Sequence, residues 1–248
     1  SNVRWPLIKE TSGWPSLRID TWVESGSEVP ALFDPMLAKV IATAANRDQA
    51  LATLAEALAN TELYGLECNR RYLLDILKDK RVQAGDVYTQ LLKTLQHQPT
   101  SVQVLTAGTQ TTVQDLPARI GYWDIGVPPS GPFDGYSFAL GNRLLGNAEQ
   151  AAGLEITLKG PVLKFNAPTR ILLAGATTSA SLTRAGLPPA SLSHNSTTSD
   201  IEFWQVIDIN AGDILDCGSV GSAGARAYCL IAGGFNCPDY LGSKSTFT

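Results

Sequence analysis

The chain has 248 residues, enough for two domains of ordinary size, and is 44% hydrophobic and 17% charged, as soluble globular proteins are. A net charge of −4 leaves no basic excess for nucleic acid or an anionic membrane surface. No apolar run approaches the roughly 20 residues that cross a bilayer, and SNVRWPLIKE has no signal-peptide core. Cys68, Cys217, Cys229 and Cys237 form no CxxC pair and no metal-ligand spacing, so a reduced, cytoplasmic protein without a bound metal is expected. Cys229 lies in an apolar run and reads as a small core hydrophobe. With only His97 and His194, a His-based triad is hard to build. Chemistry here falls to carboxylates, lysine, backbone groups or a borrowed cofactor.

In chain order, residues 3–45 read as β. Leu17, Ile19, Thr21 and Val23 alternate with Arg18, Asp20, Trp22 and Glu24, the pattern of a half-buried strand. Ser25-Gly26-Ser27 is a turn. Asp34-Pro35 is another, setting the Asp34 carboxylate at the mouth of a candidate buried strand over 36–45. Leu51, Leu54, Ala55 and Leu58 then keep helical spacing, with Asn46 as N-cap. TELYG is a short strand ending at Gly65. Asn69 caps a second helix carrying Tyr72, Leu73, Ile76 and Leu77, and a third helical stretch is predicted over 86–95. This half, residues 1–96, is α+β. The polar segment 97–101 (HQPTS) is the predicted linker to a second domain over 102–248.

Beyond the linker short strands recur, separated by Gly, Pro, Asn or Ser: VQVLT, TTVQD, LEITL, PVLKF, RILLAG, ASLTR, IEFWQVID, DILDCG and ARAYCLIAGG. That rhythm predicts a mainly β barrel or sandwich carrying one helix. Ala211-Gly212-Asp213 is a turn, and 191–199 reads as an exposed loop. KSTFT brings neither cap nor closing turn, so the domain is expected to continue past Thr248, with open strand edges that allow self-pairing into a homo-oligomer. The densest punctuation is in 111–147, at Gly121, Gly126, Pro128, Pro129, Gly131 and Pro132. Proline fixes φ and glycine permits φ > 0, so this loop is held in an irregular shape. It runs into a helix capped by Asp134, with Phe138, Gly141 and Leu145 on one face and Gly146-Asn147 at its close. A rigid loop feeding a helix N-terminus suits carboxylates and carbonyls; equally, it can be a stiffened connection.

Both halves resemble parts of one enzyme family, in that family's order. LRIDTWVESGSEVPALFDPMLAKVIATAANRDQALATLAEAL is similar to the C-terminal end of biotin carboxylases. Phe33-Asp34-Pro35-Met36-Leu37-Ala38-Lys39 stands where that family has a Tyr-Asp-x-Met-x-x-Lys-like run, and LYGLECNRRYLLDIL matches the strand and helix that follow. The strings 111–115, 121–134, 153–157, 232–234 and 241–246 resemble the carboxyltransferase domain of urea carboxylase, a domain shared with KipA-like (allophanate-hydrolase-subunit-2-like) proteins and cyclophilin-like in fold. A biotin carboxylase end leading into this domain implies urea carboxylase, alone or within urea amidolyase.

The resemblance implies ATP- and biotin-dependent carboxylation of urea to allophanate, with urea and carboxybiotin on a carrier domain as partners and with ATP, a divalent metal and biotin as cofactors of the intact enzyme. A glycine-rich phosphate loop is not seen in 1–100, nor a Met-Lys-Met-like biotinylation motif. The chain is therefore expected to bind none of these cofactors and to be inactive by itself. Carboxyl transfer needs groups that hold the carboxylate, hold a diamide and take a proton. Asp115, Asp124 and Asp134 are candidate N–H acceptors or general base, although Asp134 equally reads as a cap and Asp115 as a turn residue. Lys244 is a candidate anion-binding catalytic residue or a solvated loop lysine. Ser130 and Gly131 can donate to a carboxylate or ureido oxygen, or simply make the turn. Tyr122 and Trp123 can wall a biotin ring, though such aromatics more often pack in a core. Alternation points Glu155 at solvent. Asp34 and Lys39 can border the biotin pocket of an intact carboxylase. The alternative is a non-catalytic KipA-like binding or regulatory module, or a 5-oxoprolinase or allophanate hydrolase subunit; neither accounts for the biotin-carboxylase-like half.

Overall fold

The computed structural model describes residues 2–4, 10–11, 14–30, 35–186 and 198–246. The chain divides into two compact units, Ser1–Pro99 and Thr100–Thr248.

The first unit is α+β. Three antiparallel pairs supply its strands: β1 (Asn2–Arg4) with β6 (Glu62–Tyr64), β2 (Glu10–Thr11) with β3 (Trp14–Pro15), and β4 (Leu17–Thr21) with β5 (Ala38–Ala42). β5 is shorter and less buried than the predicted 36–45 strand, and Met36 is half exposed. Helix α1 (Arg47–Asn60) starts where Asn46 Oδ1 accepts the Gln49 N–H at 2.9 Å, and it buries Ala57 and Leu58. Asn69 does not cap α2 (Arg70–Lys78) with its side chain, because its own backbone is already close to helical. Instead, Arg70 Nη1 donates to the Leu58 carbonyl at 2.7 Å, tying the start of α2 to the end of α1. The helix predicted over 86–95 is not formed. Asp79 caps a short α3 (Lys80–Ala84), Gly85 ends it at φ +81°, and only a 3₁₀ turn at Leu91–Thr94 follows.

The second unit is a sandwich of two five-stranded antiparallel sheets, and no barrel closes. One sheet runs β13 (Thr198–Asp200), β12 (Ser181–Thr183), β15 (Ile214–Asp216), β10 (Val162–Phe165), β7 (Val102–Thr106). The other runs β14 (Ile207–Ile209), β11 (Thr169–Gly175), β16 (Ala227–Ile231), β9 (Gly153–Thr157), β8 (Gln110–Gln114). Alternate residues of both sheets meet between them: Leu163, Phe165, Leu182 and Leu215 from the first, Ile156, Ile171, Leu173 and Cys229 from the second. The intervening residues of β11 and β16 face the other way. Leu172, Ala174, Tyr228 and Leu230 pack under α4 (Gly135–Leu145) through Phe138 and Leu145. The helix sits low because Gly141 lacks a side chain: a Cβ there would lie 2.6 Å from Leu230 Cδ1. Of the predicted loop 191–199, residues 191–197 lie outside the described residues, while Thr198 and Ser199 belong to β13, paired with Leu182 and Thr183.

Candidate functional site

Residues 116–134 leave β8 and return to α4 as a loop shaped by local necessity. The Arg119 N–H donates to the Pro129 carbonyl at 2.8 Å, closing it. Ser130 and Gly131 both take positive φ, and a Cβ on Gly131 would come within 2.6 Å of the Ala118 Cβ, so only glycine fits. A 3₁₀ turn, Trp123–Ile125, forms the tip. Its aromatics are not core. Trp123 is 74% exposed and Tyr122 half-buried, with Ile120, Ile125, Phe133 and Tyr136 also exposed.

Asp115 is the first anchor. Its Oδ1 accepts the hydroxyls of Ser243 at 2.5 Å and Ser245 at 2.7 Å, and its Oδ2 accepts the Lys244 N–H at 2.7 Å. The Asp115 N–H donates back to Ser245 Oγ at 3.0 Å. Thr246 continues the pairing, since its N–H donates to the Val113 carbonyl at 2.8 Å and its hydroxyl oxygen accepts the Val113 N–H at 3.0 Å. Segment 243–246 is thereby stitched to the open edge of β8, shielding backbone groups that an edge strand would leave exposed. Arg119, 1% exposed, sits beneath. Nε donates to the Tyr240 carbonyl at 2.9 Å and Nη2 to the Ser245 carbonyl at 2.8 Å, with the Tyr240 ring 5.0 Å from its guanidinium. A cleft of about 420 Å³ opens here, with Val113, Arg119, Cys237, Pro238, Tyr240 and Lys244 among its walls. Burial pushes the Cys237 thiol up, and the charge of Lys244 partly offsets that.

Glu155 is the second anchor, and it does not face solvent. Alternation along β9 does turn it away from the inter-sheet core, but the loop and α4 cover that outer face. Glu155 Oε2 accepts the Phe133 N–H at 2.6 Å and the Tyr228 hydroxyl at 3.1 Å. Tyr228 Oη in turn accepts the Asp134 N–H at 2.7 Å. Arg226 Nε lies 3.6 Å from Glu155 Oε1, and its guanidinium stands 5.0 Å from the Phe133 ring. Burial raises the Tyr228 hydroxyl, which keeps its proton and remains a donor to Glu155. Asp134 caps α4, accepting the Ser137 hydroxyl at 2.6 Å and its N–H at 3.0 Å, and those bonds hold its carboxyl below the usual range.

The expected site residues thus separate. Asp115 and Lys244 meet through the Lys244 backbone. Asp134 joins Glu155 through Tyr228, and Asp124, Trp123 and Ser130 are exposed on the loop. In the first unit Lys39 lines a cavity of about 680 Å³ with Asp20, Trp22, Glu28 and Met36, while Asp34 lies outside the described residues. Arg119, Tyr228, Ser243 and Ser245 were not singled out from sequence. The alternation Ser243-Lys244-Ser245 was the available signal, because it puts two hydroxyls on one side of an extended segment. Among the described residues no group of three or more His, Cys, Asp or Glu side chains could hold a metal ion, and no helix is long and apolar enough to cross a membrane.

Residues 125–248 match the carboxyltransferase domain, subdomain A and B, and residues 2–94 match the biotin carboxylase C-terminal domain. The chain belongs to the carboxyltransferase subdomain A and B family. In it that domain follows a biotin carboxylase C-terminal domain. It is 41% identical to the urea amidolyase of Lachancea kluyveri over 93% of this chain and 12% of that protein. It is 36% identical to a putative urea carboxylase of Emericella nidulans over 96% of this chain and 18% of that one. The crystal structure of the Kluyveromyces lactis urea amidolyase superposes with a TM-score of 0.75 at 40% identity, covering 99% of this chain and 13% of that one. The chain therefore spans less than a fifth of the length of the curated relatives it matches.

Proposed function

We propose that this chain is the junction of a biotin-dependent urea carboxylase, joining the end of its biotin carboxylase to the start of its carboxyltransferase, in the cytoplasm. The observation that carries the reading is the domain order: a biotin carboxylase C-terminal match over 2–94 runs into a carboxyltransferase match over 125–248, and urea amidolyase aligns across both. A regulatory module built on the second domain leaves the first unexplained.

In this reading biotin carries an activated carboxyl group to the carboxyltransferase half, and urea accepts it. The chemistry of the loop fits such a group. Trp123 offers an exposed flat face for a ureido ring, Ser130 an exposed hydroxyl donor, and Asp124 an exposed carboxylate able to accept a urea N–H. Asp115 and Asp134 position the loop, their oxygens being engaged by Ser243, Lys244, Ser245 and Ser137. ATP and its metal are assigned to parts of the enzyme other than these residues.

The test is urea-dependent ATP hydrolysis with bicarbonate by the full-length protein that contains this sequence. Hydrolysis that requires urea, and falls with Asp124→Asn while the biotin carboxylase half-reaction persists, supports the reading. Hydrolysis indifferent to urea removes urea as the acceptor.

A further inference from the structure

The sandwich ends in four edge strands, β13, β7, β14 and β8. Segment 243–246 is stitched onto β8, and β13 and β14 are three residues each. β7 is five residues, and among the described residues no strand pairs with its outer side. The register fixes which of its main-chain groups face outward. β10 sets Phe165 opposite Val102, Lys164 opposite Gln103 and Leu163 opposite Val104. One step earlier the Asn166 N–H donates to the Ser101 carbonyl at 3.0 Å, while the Phe165 N–H turns the other way, to the Asp213 carbonyl at 3.0 Å. Bonded and non-bonded residues alternate along an antiparallel pair. Ser101 and Gln103 therefore bond β10, and Val102 and Val104 aim their N–H and C=O groups at the open side. Val102 packs against the inter-sheet core, and Val104 follows it on the same face yet is 58% exposed. Edge strands are commonly guarded by a charge or a proline, and residues 100–106, TSVQVLT, have neither. The bulge against β10 falls at Leu105, beyond the outward-facing pair.

We propose that β7 pairs with β7 of a second copy of this chain, antiparallel about a two-fold axis through Gln103. The outward groups select that partner. Val102 and Val104 stand symmetrically about Gln103, so in this register the N–H and C=O of each meet those of the other residue in the second copy, and all four groups of each strand are satisfied. The exposed Val104 side chain then covers the second copy's Val102, and the two Gln103 side chains lie opposite each other. With no charge in 100–106, the symmetric pairing brings no like charges together. Three residues a side make a contact well below the roughly 1,200 Å² of a stable interface, so the pairing is reversible and depends on concentration. It concerns β7 alone and stands whether or not urea is the acceptor of the enzyme's reaction.

The experiment is cysteine cross-linking of the full-length protein that contains this sequence, oxidised with copper phenanthroline and read by mass spectrometry of the linked peptides. In the proposed register Gln103 faces its own copy as a non-hydrogen-bonded pair, with Cα atoms about 4.5 Å apart, inside the range that a disulfide spans. Gln103→Cys is therefore expected to give a peptide linked to itself through position 103, in a yield that rises with protein concentration. Leu105→Cys, about 13 Å from its copy, should give at least tenfold less. Adding Val104→Lys to Gln103→Cys should lower the linked fraction about tenfold, since it sets a charge on the edge. Val104 is exposed, so that change leaves the fold intact; Val104→Pro, which removes an outward N–H and no bond to β10, is the second variant and should act alike. Hydrogen exchange at Val102 and Val104 should be fast in dilute protein and slow in concentrated protein. A Gln103→Cys yield no higher than that of Leu105→Cys, or one that survives both Val104 variants, overturns the proposal. Val102 and Val104 amides protected equally at every dilution overturn it as well, in favour of a strand from the same polypeptide on that edge.

Discussion

Asp115 and Glu155 are both buried carboxylates at one end of the same sheet, and they hold the molecule in different ways. Asp115 takes its three side-chain contacts from a single segment, Ser243 to Ser245, all of them neutral donors. Glu155 takes its contacts from two separate stretches, the Phe133 N–H on the loop and the Tyr228 hydroxyl and Arg226 guanidinium at the start of β16. The first is a latch on one strand edge. The second is a brace tying loop, helix start and sheet. A carboxylate satisfied by one short segment should release that segment as a unit when removed. A carboxylate shared between two stretches should loosen each a little.

The largest break is expected from Asp115→Ala. It strands two buried hydroxyls and one N–H, at a cost of about 3–4 kcal/mol in denaturant unfolding, with hydrogen exchange accelerating over 243–246 and not at Phe133. Tyr228→Phe tests the other side. It deprives the Asp134 N–H of its acceptor and Glu155 of a donor, for about 2 kcal/mol, and exchange should quicken at Phe133 and Asp134 while 243–246 stays protected. If either substitution loosens both regions equally, latch and brace are one unit.

Asp134→Ala sharpens the picture at the helix cap, costing about 1 kcal/mol. The Asp134 carboxyl is depressed by the Ser137 hydroxyl and N–H, below the ordinary value of 3.8. Its contribution is therefore complete above that ordinary value and is lost as pH falls through the depressed one. The stability gap between wild type and Asp134→Ala should be flat near neutrality and close under acid conditions. The smallest effect belongs to Trp123→Ala at the exposed loop tip: within about 0.5 kcal/mol in stability, with any loss confined to carboxyl transfer by the full-length protein.

Local features were legible in the residues. The Asn46 and Asp134 caps, the Gly146 close of α4 and the face shared by Phe138, Gly141 and Leu145 all follow from spacing and cap chemistry. The short strands split by Gly and Pro announced a mainly β second unit. Where the reading failed, the cause was competition between local signals or cover from distant elements. Asp79 and Gly85 fixed α3 early and left no helix over 86–95. Glu155 reads as a solvent residue from alternation alone, and it became a buried anchor because α4 and residues 116–134 lie on that face.

The sequence by itself determined most of the elements, the loop punctuated by glycine and proline, and the order of the two domain types. Each depends on neighbours within a few positions or on strings long enough to be specific. Only the tertiary structure decided that two sheets stack without closing, that Asp115 meets residues 128 to 130 positions away, and that Arg119 lies buried beside Lys244. Those outcomes turn on which sheet face is covered and which edge is paired. Such choices are made by burial and hydrogen bonding across the fold, and no local pattern encodes them.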